Sequence, residues 1–300
     1  MRVDVDFSAI QKAVTELIGH TATRLPPDVL HSLRAARERE AASGHSRMIL
    51  QTLLENAGLA ATGKAPLCQD TGTLTFYGRV PPGWDPRRLE KAVHNAVRAA
   101  TRRGSLRRNT IDAVTGAPVN DNVAPPTTPV CHWEPARANA KRLELRLLMK
   151  GGGCENVSAQ YSLPDPRLSA GRDLEGVRRC ILDAVINAQG YGCAPGILGV
   201  CIGGDRATGY DQAKRLFLRP LAEPAADPVL AALEQRTLRE ANTLNIGPMG
   251  LGGRITLLDV KITGAARLPA SFFVTVAYMC WALRRGKILI QSNGTVDRLL

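Results

Sequence analysis

The sequence predicts a mixed α/β chain of the α+β kind, with a helical lead-in over residues 1–60 followed by a mixed-sheet unit over residues 61–300. Two observations carry this. Apolar residues in the first sixty positions recur at helical spacing. From Pro66 the texture changes to short apolar or alternating segments, broken by glycine and interleaved with helical patterns. A chain of 300 residues with 44% apolar side chains can furnish a sizeable core. No repeat, low-complexity tract or linker divides it, so it reads as one domain.

Taken in order, Ile10, Val14, Leu17 and Ile18 set the first helix, and Pro26-Pro27 ends it. Val29, Leu30, Leu33 and Ala36 set a second, and a third is expected over about 46–55, ending near Asn56-Ala57-Gly58. Thr73 to Tyr77 and Leu143 to Met149 read as strands, with a helix on Leu89, Val93, Ala96 and Val97 between them. Thr115 to Pro129 has no regular period and reads as a long loop, a feature often functional in compact domains. A helix on Val177, Ile181, Ala184 and Val185 follows, then a glycine-flanked turn from Gly190 to Pro195 and a strand from Ile197 to Ile202. Beyond it come a helix starting near Asp205 to Thr208, another over Pro228 to Asn242, strands near Ile255 to Ile262 and Phe272 to Tyr278, and a short tail.

Composition removes several function classes. The apolar run Ala270 to Leu283 is interrupted by Ser271, Thr275 and Tyr278 and is too short to span a bilayer. Acidic residues in Met1-Arg2-Val3-Asp4-Val5-Asp6 do not suit a signal or transit peptide, so the expected location is cytoplasmic. Seven scattered cysteines then read as reduced thiols, ligands or core fillers rather than a disulfide framework. Lysine and arginine (39) outnumber aspartate and glutamate (27), a net charge of +12 that attracts anions without choosing among carboxylates, phosphates and nucleic acid. Arg98, Arg102, Arg103, Arg107 and Arg108 form the densest basic cluster, which also fits a solvated helix face and its exit loop. Only 4% of residues are aromatic, poor material for base stacking, so no nucleic-acid partner is expected.

Walker, Rossmann, Cys-x-x-Cys and His-Glu-x-x-His signatures are absent. Three glycine-punctuated blocks remain. Cys68-Gln69-Asp70-Thr71-Gly72 precedes the first strand, where Asp-Thr-Gly also fits a plain turn. Lys150-Gly151-Gly152-Gly153-Cys154-Glu155-Asn156 ends a strand in three glycines, which suit either an anion-binding nest or a loose bulge. Gly192-Cys193-Ala194-Pro195-Gly196 lies at a helix end. Cys180, on a helix's apolar face, and Cys201, in an apolar strand, read as core, while Cys131 has no clear context.

Together with Leu106-Arg107-Arg108-Asn109, Ile246 to Gly253 and Tyr278 to Arg285, these blocks resemble the alpha subunit of the iron-sulfur hydro-lyases, the class I fumarate hydratases and L-tartrate dehydratases. The resemblance covers about residues 10–290. It implies a four-iron, four-sulfur cluster held by Cys68, Cys193 and Cys280. Three thiolates leave one iron open to substrate, whereas four usually make an electron carrier. The resemblance further places Gln69 and Asp70 at the substrate, with Asp70 a candidate for proton handling, and Arg107 on a substrate carboxylate. Arg108 ranks lower, because adjacent residues of an extended stretch point apart. Gly151, Gly152 and Gly153 would offer backbone donors to the other end of a dicarboxylate, and Lys150 would either add charge or point to solvent.

The implied reaction is reversible hydration of fumarate to L-malate; dehydration of L-tartrate to oxaloacetate is the alternative. Cys154 stands where class I fumarases commonly carry serine and tartrate dehydratases can carry cysteine, whereas Glu155-Asn156 and Tyr278 to Trp281 lean toward fumarase. Single-chain relatives append a second, smaller domain, so the resemblance implies a separate beta subunit, with an alpha-alpha dimer also compatible. A non-enzymatic iron-sulfur sensor would instead need a fourth ligand, for which Cys154 and Cys201 are the candidates.

Overall fold

The computed structural model describes residues 4–299. In chain order its elements are α1 (Phe7–Thr23), α2 (Pro27–Arg39), α3 (His45–Gly63), β1 (Thr73–Val80), α4 (Pro86–Arg102), β2 (Val130–Pro135), β3 (Leu143–Lys150) and α5 (Gly152–Asn156). They continue with β4 (Ala159–Ser162), α6 (Leu174–Ala188), β5 (Gly196–Gly203), α7 (Arg206–Arg215), α8 (Pro228–Thr243), β6 (Leu257–Ala265), β7 (Phe273–Met279), β8 (Arg284–Ile290) and β9 (Val296–Leu299). The mixed α/β class is as the sequence predicts. Aspartate caps start α1, α4, α6, α7 and α8, each carboxylate accepting from backbone N–H groups of the first turn. Pro86 and Pro228 stand at the first turn, where the missing donor costs nothing.

The chain forms two compact units, one of residues 1–26, 56–151 and 284–300, the other of residues 27–55 and 152–283. In the first unit the sheet order is β2-β1-β3-β8-β9, with β1 and β2 parallel and the other pairs antiparallel. One face, carrying Leu74, Phe76, Leu145, Leu147, Met149 and Ile288, packs with the apolar sides of α1 and α4. The other face, buried at Leu148, carries polar groups elsewhere: Tyr77 stacks on His132 with ring centroids 4.8 Å apart, and Glu144 pairs with Arg146 and Lys287 at 2.9 Å.

The second unit holds the sheet β4-β7-β5-β6, in which β5 and β6 are parallel and β7 is antiparallel to β5 and to β4. Leu198, Val200, Val260, Val274 and Val276 pack with Val177, Ile181 and Ala184 of α6 and Leu233 and Ala241 of α8. Cys180 and Cys201 are both fully buried, in keeping with their reading as core.

Several elements depart from expectation. Helix α3 continues to Gly63, because Ala57 and Ala60 keep the buried stripe going and Gly58 lies where a side chain would meet nothing. Cys131 belongs to β2, an edge strand bounded by prolines whose Trp133 ring lies over Gly78. The predicted tail is instead the pair β8 and β9, with β8 hidden in the sequence by the alternation of Arg285 and Lys287 with buried residues.

Candidate functional site

The first unit presents Cys68 to Gly72 on the segment that enters β1. Cys68 is half-buried, and the Asp70 N–H donates to its Sγ at 3.4 Å. Asp70 Oδ1 accepts from Gly72 N–H at 2.9 Å and from Asn109 Nδ2 at 3.4 Å. A Cβ on Gly151 would stand 2.7 Å from Asp70 Oδ2, and one on Gly72, at φ +72°, would run into the Lys150 carbonyl. The two glycines therefore let the Asp70 loop lie against the end of β3. Lys150 is 1% exposed, which overturns the alternative that its side chain points to solvent.

Arg107 is held from its backbone rather than by its side chain. The buried Thr71 hydroxyl accepts from Arg107 N–H at 2.8 Å and donates to its carbonyl at 3.0 Å. Asn122, also buried, donates to that carbonyl at 2.9 Å and accepts from the N–H groups of Asn109 and Thr110. Beside it Asp121, at φ +51°, pairs with Arg102 at 2.7 Å and Arg108 at 3.2 Å. Arg108 is thus committed to a carboxylate of the fold, whereas the exposed Arg107 guanidinium has no ion-pair partner among the described residues. The long loop's Asn120-Asp121-Asn122 turn is the scaffold of this arginine segment.

In the second unit, Cys193 lies in the turn after α6 and Cys280 just past β7. Cys193 is exposed and holds φ +56°, a conformation unusual outside glycine. Its carbonyl accepts from Trp281 N–H at 3.4 Å, which ties the turn to the residue after Cys280. Tyr278 is 2% exposed, and its ring fills the space left by Gly192 and Gly196, where an added Cβ would collide with it. Burial, then the neighbouring thiols of Cys280, Cys154 and Cys193, push the Tyr278 phenol's pKa up, so it stays protonated. Its hydroxyl has no hydrogen-bond partner among the described residues.

Gly152 and Gly153 form the first turn of α5 rather than a loose bulge, with Cys154 buried behind them. The Cys154 carbonyl accepts from Ser158 Oγ at 2.8 Å, and that oxygen accepts from Tyr278 N–H at 3.1 Å. A cavity of about 540 Å³, lined by Gly153, Asn156, Asn187 and Tyr191 among others, lies alongside. The first unit therefore carries Cys68, Gln69, Asp70, Arg107 and Gly151, and the second carries Gly152, Gly153, Cys193 and Cys280. Sequence reasoning assigned no role to Thr71, Asn122 or Tyr278. Thr71 and Tyr278 stood inside quoted motifs, but only tertiary contacts reveal what they hold.

The profile of the fumarate hydratase (Fumerase) family matches residues 11–289. A protein of Geobacillus stearothermophilus named "Putative fumarate hydratase class I" is 42% identical over 289 residues, covering 95% of this chain and 55% of its own length. The chain thus spans about half of that relative. A Methanocaldococcus jannaschii protein named "Putative L(+)-tartrate dehydratase subunit alpha" is 34% identical, with 92% and 95% covered. The L(+)-tartrate dehydratase subunit alpha of Escherichia coli K12 is 29% identical, with 95% and 93% covered. The matched span, the 34% relative covered almost end to end and the ordered motifs together place this chain in the fumarate hydratase family.

Proposed function

We propose that this chain is the cluster-bearing part of an iron-sulfur hydro-lyase that interconverts fumarate and L-malate together with a separate beta-type partner. The match across residues 11–289, with the higher identity falling on the fumarate hydratase class I relative, carries this reading. Cys68, Cys193 and Cys280 are its proposed cluster ligands. The donor set suits a sulfur-rich group: an N–H aimed at Cys68 Sγ, and a buried tyrosine hydroxyl that lacks an acceptor beside Cys193 and Cys280. No three His, Cys, Asp or Glu residues among those described are grouped to hold a single metal ion. A cluster makes no such demand, since each cysteine binds a different iron. When bound, the cluster supplies an open Lewis-acidic iron for the substrate hydroxyl.

The chain's own residues do the rest. Arg107 takes one substrate carboxylate with its two-pronged guanidinium, a geometry lysine lacks. Backbone N–H groups of Gly151, Gly152 and Gly153 take the other. Gln69 orients the substrate, and Asp70 moves the carbon-bound proton, its Oδ1 fixed by Gly72 and Asn109. Excess positive charge draws the dianion in.

A second reading, L-tartrate dehydration, is favoured by the near full-length match to relatives named as tartrate dehydratase alpha subunits and by Cys154. Those names also support a separate partner subunit here. Cysteine substitution with anaerobic iron and sulfide counting tests the ligand set: Cys68→Ser, Cys193→Ser and Cys280→Ser should each lose the cluster while Cys180→Ser keeps it. Equal retention in all four would overturn the assignment. Turnover of fumarate against L-tartrate separates the two substrates.

A further inference from the structure

We infer that the Tyr278 hydroxyl donates a hydrogen bond to the sulfur shell of the cluster at Cys193 and Cys280, which makes Tyr278 a positioning residue that tunes the cluster. The inference rests on the cluster reading above. Its starting observation is a buried hydroxyl with no partner among the described residues, an arrangement native proteins rarely leave unanswered. Tyr161, a strand away in the same sheet, shows the ordinary solution: its hydroxyl donates to Asp183 at 2.7 Å.

The position of the Tyr278 ring is built into the turn that presents Cys193. Glycines stand on both sides of Cys193-Ala194-Pro195, and a Cβ at Gly192 or Gly196 would strike the ring, the latter at the hydroxyl end. Trp281 N–H holds the Cys193 carbonyl, which fastens this turn to the strand end carrying Cys280. On the remaining side, Ser158 links Tyr278 N–H to the carbonyl of Cys154. The thiols of Cys280, Cys154 and Cys193 all lie near enough to act on this phenol's charge, and a sulfide or thiolate of a cluster is an acceptor that would complete it. Hydrogen bonds to cluster sulfurs raise the reduction potential and resist oxidation.

The test compares the parent chain, Tyr278→Phe and Tyr161→Phe, each cluster-free and each reconstituted anaerobically with iron and sulfide. Thermal unfolding is read on the cluster-free forms, and the loaded forms are titrated electrochemically with detection by electron paramagnetic resonance. Cluster-free Tyr278→Phe should unfold at or above the parent temperature, because the lost hydroxyl had no partner there, whereas Tyr161→Phe should unfold lower. Loaded Tyr278→Phe should titrate at lower potential: at the parent's midpoint its oxidised-to-reduced ratio should rise roughly threefold to tenfold, tenfold being 59 mV for one electron. Loaded Tyr161→Phe should match the parent.

An unchanged ratio in fully loaded Tyr278→Phe overturns the inference alone. So does a lower unfolding temperature for cluster-free Tyr278→Phe, since the hydroxyl then serves the fold. A parent chain that takes up no iron overturns the cluster reading and this inference with it.

Discussion

Thr71→Val probes how the fold sets the proposed carboxylate clamp. Valine keeps the size of threonine but removes the oxygen that accepts from Arg107 N–H at 2.8 Å and donates to Arg107 C=O at 3.0 Å. The carbonyl retains Asn122 Nδ2 at 2.9 Å, so the main loss is the N–H partner. Leaving such a group unsatisfied costs about 1–3 kcal/mol when buried, and the neighbouring exposed side chain lets water recover part of it. A net loss of about 1–2 kcal/mol follows, a factor of about 5–30 in the folded-to-unfolded ratio. Urea unfolding of the cluster-free chain reads this as a lower midpoint with unchanged slope. In the assembled enzyme, looser placement of Arg107 should raise KM for fumarate by roughly tenfold, about 1.4 kcal/mol of substrate binding. Thr71→Ser restores the oxygen and should restore both. Parent-like stability and KM in Thr71→Val, or equal damage from serine, would refute the proposed role of the hydroxyl.

Arg107→Lys should raise KM for the dicarboxylate by roughly tenfold or more, through loss of the two-pronged contact. Arg108→Lys, at a side chain that turns to the buried Asp121 instead, should leave KM within about twofold, since lysine keeps the charge beside that carboxylate and Asp121 retains Arg102. Gly196→Ala drives a methyl group into Tyr278 and should lower the unfolding free energy by about 1–3 kcal/mol, read as a lower urea midpoint, with partial rescue by Tyr278→Phe. Burial lowers the pKa of both His20 and His94 below the ordinary 6.5. The unfolded chain then binds more protons than the native one between those lowered values and 6.5. Stability should be complete above pH 6.5 and fall as pH drops through the folded values. His94→Gln should flatten that slope in urea midpoints measured from pH 7.5 to pH 5.

The sequence made most of the helices legible because their signals are local: spaced apolar residues, an aspartate before the start of α1, α4, α6, α7 and α8 and, for α4 and α8, a proline right after it. Strand β5 was legible as a continuous apolar run because neighbours cover both of its faces. By contrast, β2 and β8 were not. One is a half-buried edge strand and the other opens with Arg284-Arg285-Gly286-Lys287, leaving only Ile288 to Ile290 as an apolar stretch, so neither shows a strand-length run of apolar side chains.

The motif residues were readable as types, but their settings were not. That Arg107 rather than Arg108 is uncommitted depends on Asp121, and that Arg107 is held depends on Thr71, 36 residues away in the chain. The glycines around Cys193 read as turn residues. Their tertiary role is to admit the Tyr278 ring, a contact spanning more than eighty positions that no local pattern encodes. The covalently silent features of a site, buried hydroxyls and missing side chains, leave their mark only once distant segments meet.

Iron and acid-labile sulfide counted per chain after anaerobic reconstitution, with fumarate hydration followed on the same sample with and without the candidate beta subunit, test the hydro-lyase reading most directly. About four of each per chain, as a four-iron, four-sulfur cluster requires, and malate formation that depends on the partner are the expected results. A chain that binds no iron, or a fully loaded complex that turns over neither fumarate nor L-tartrate, would contradict it.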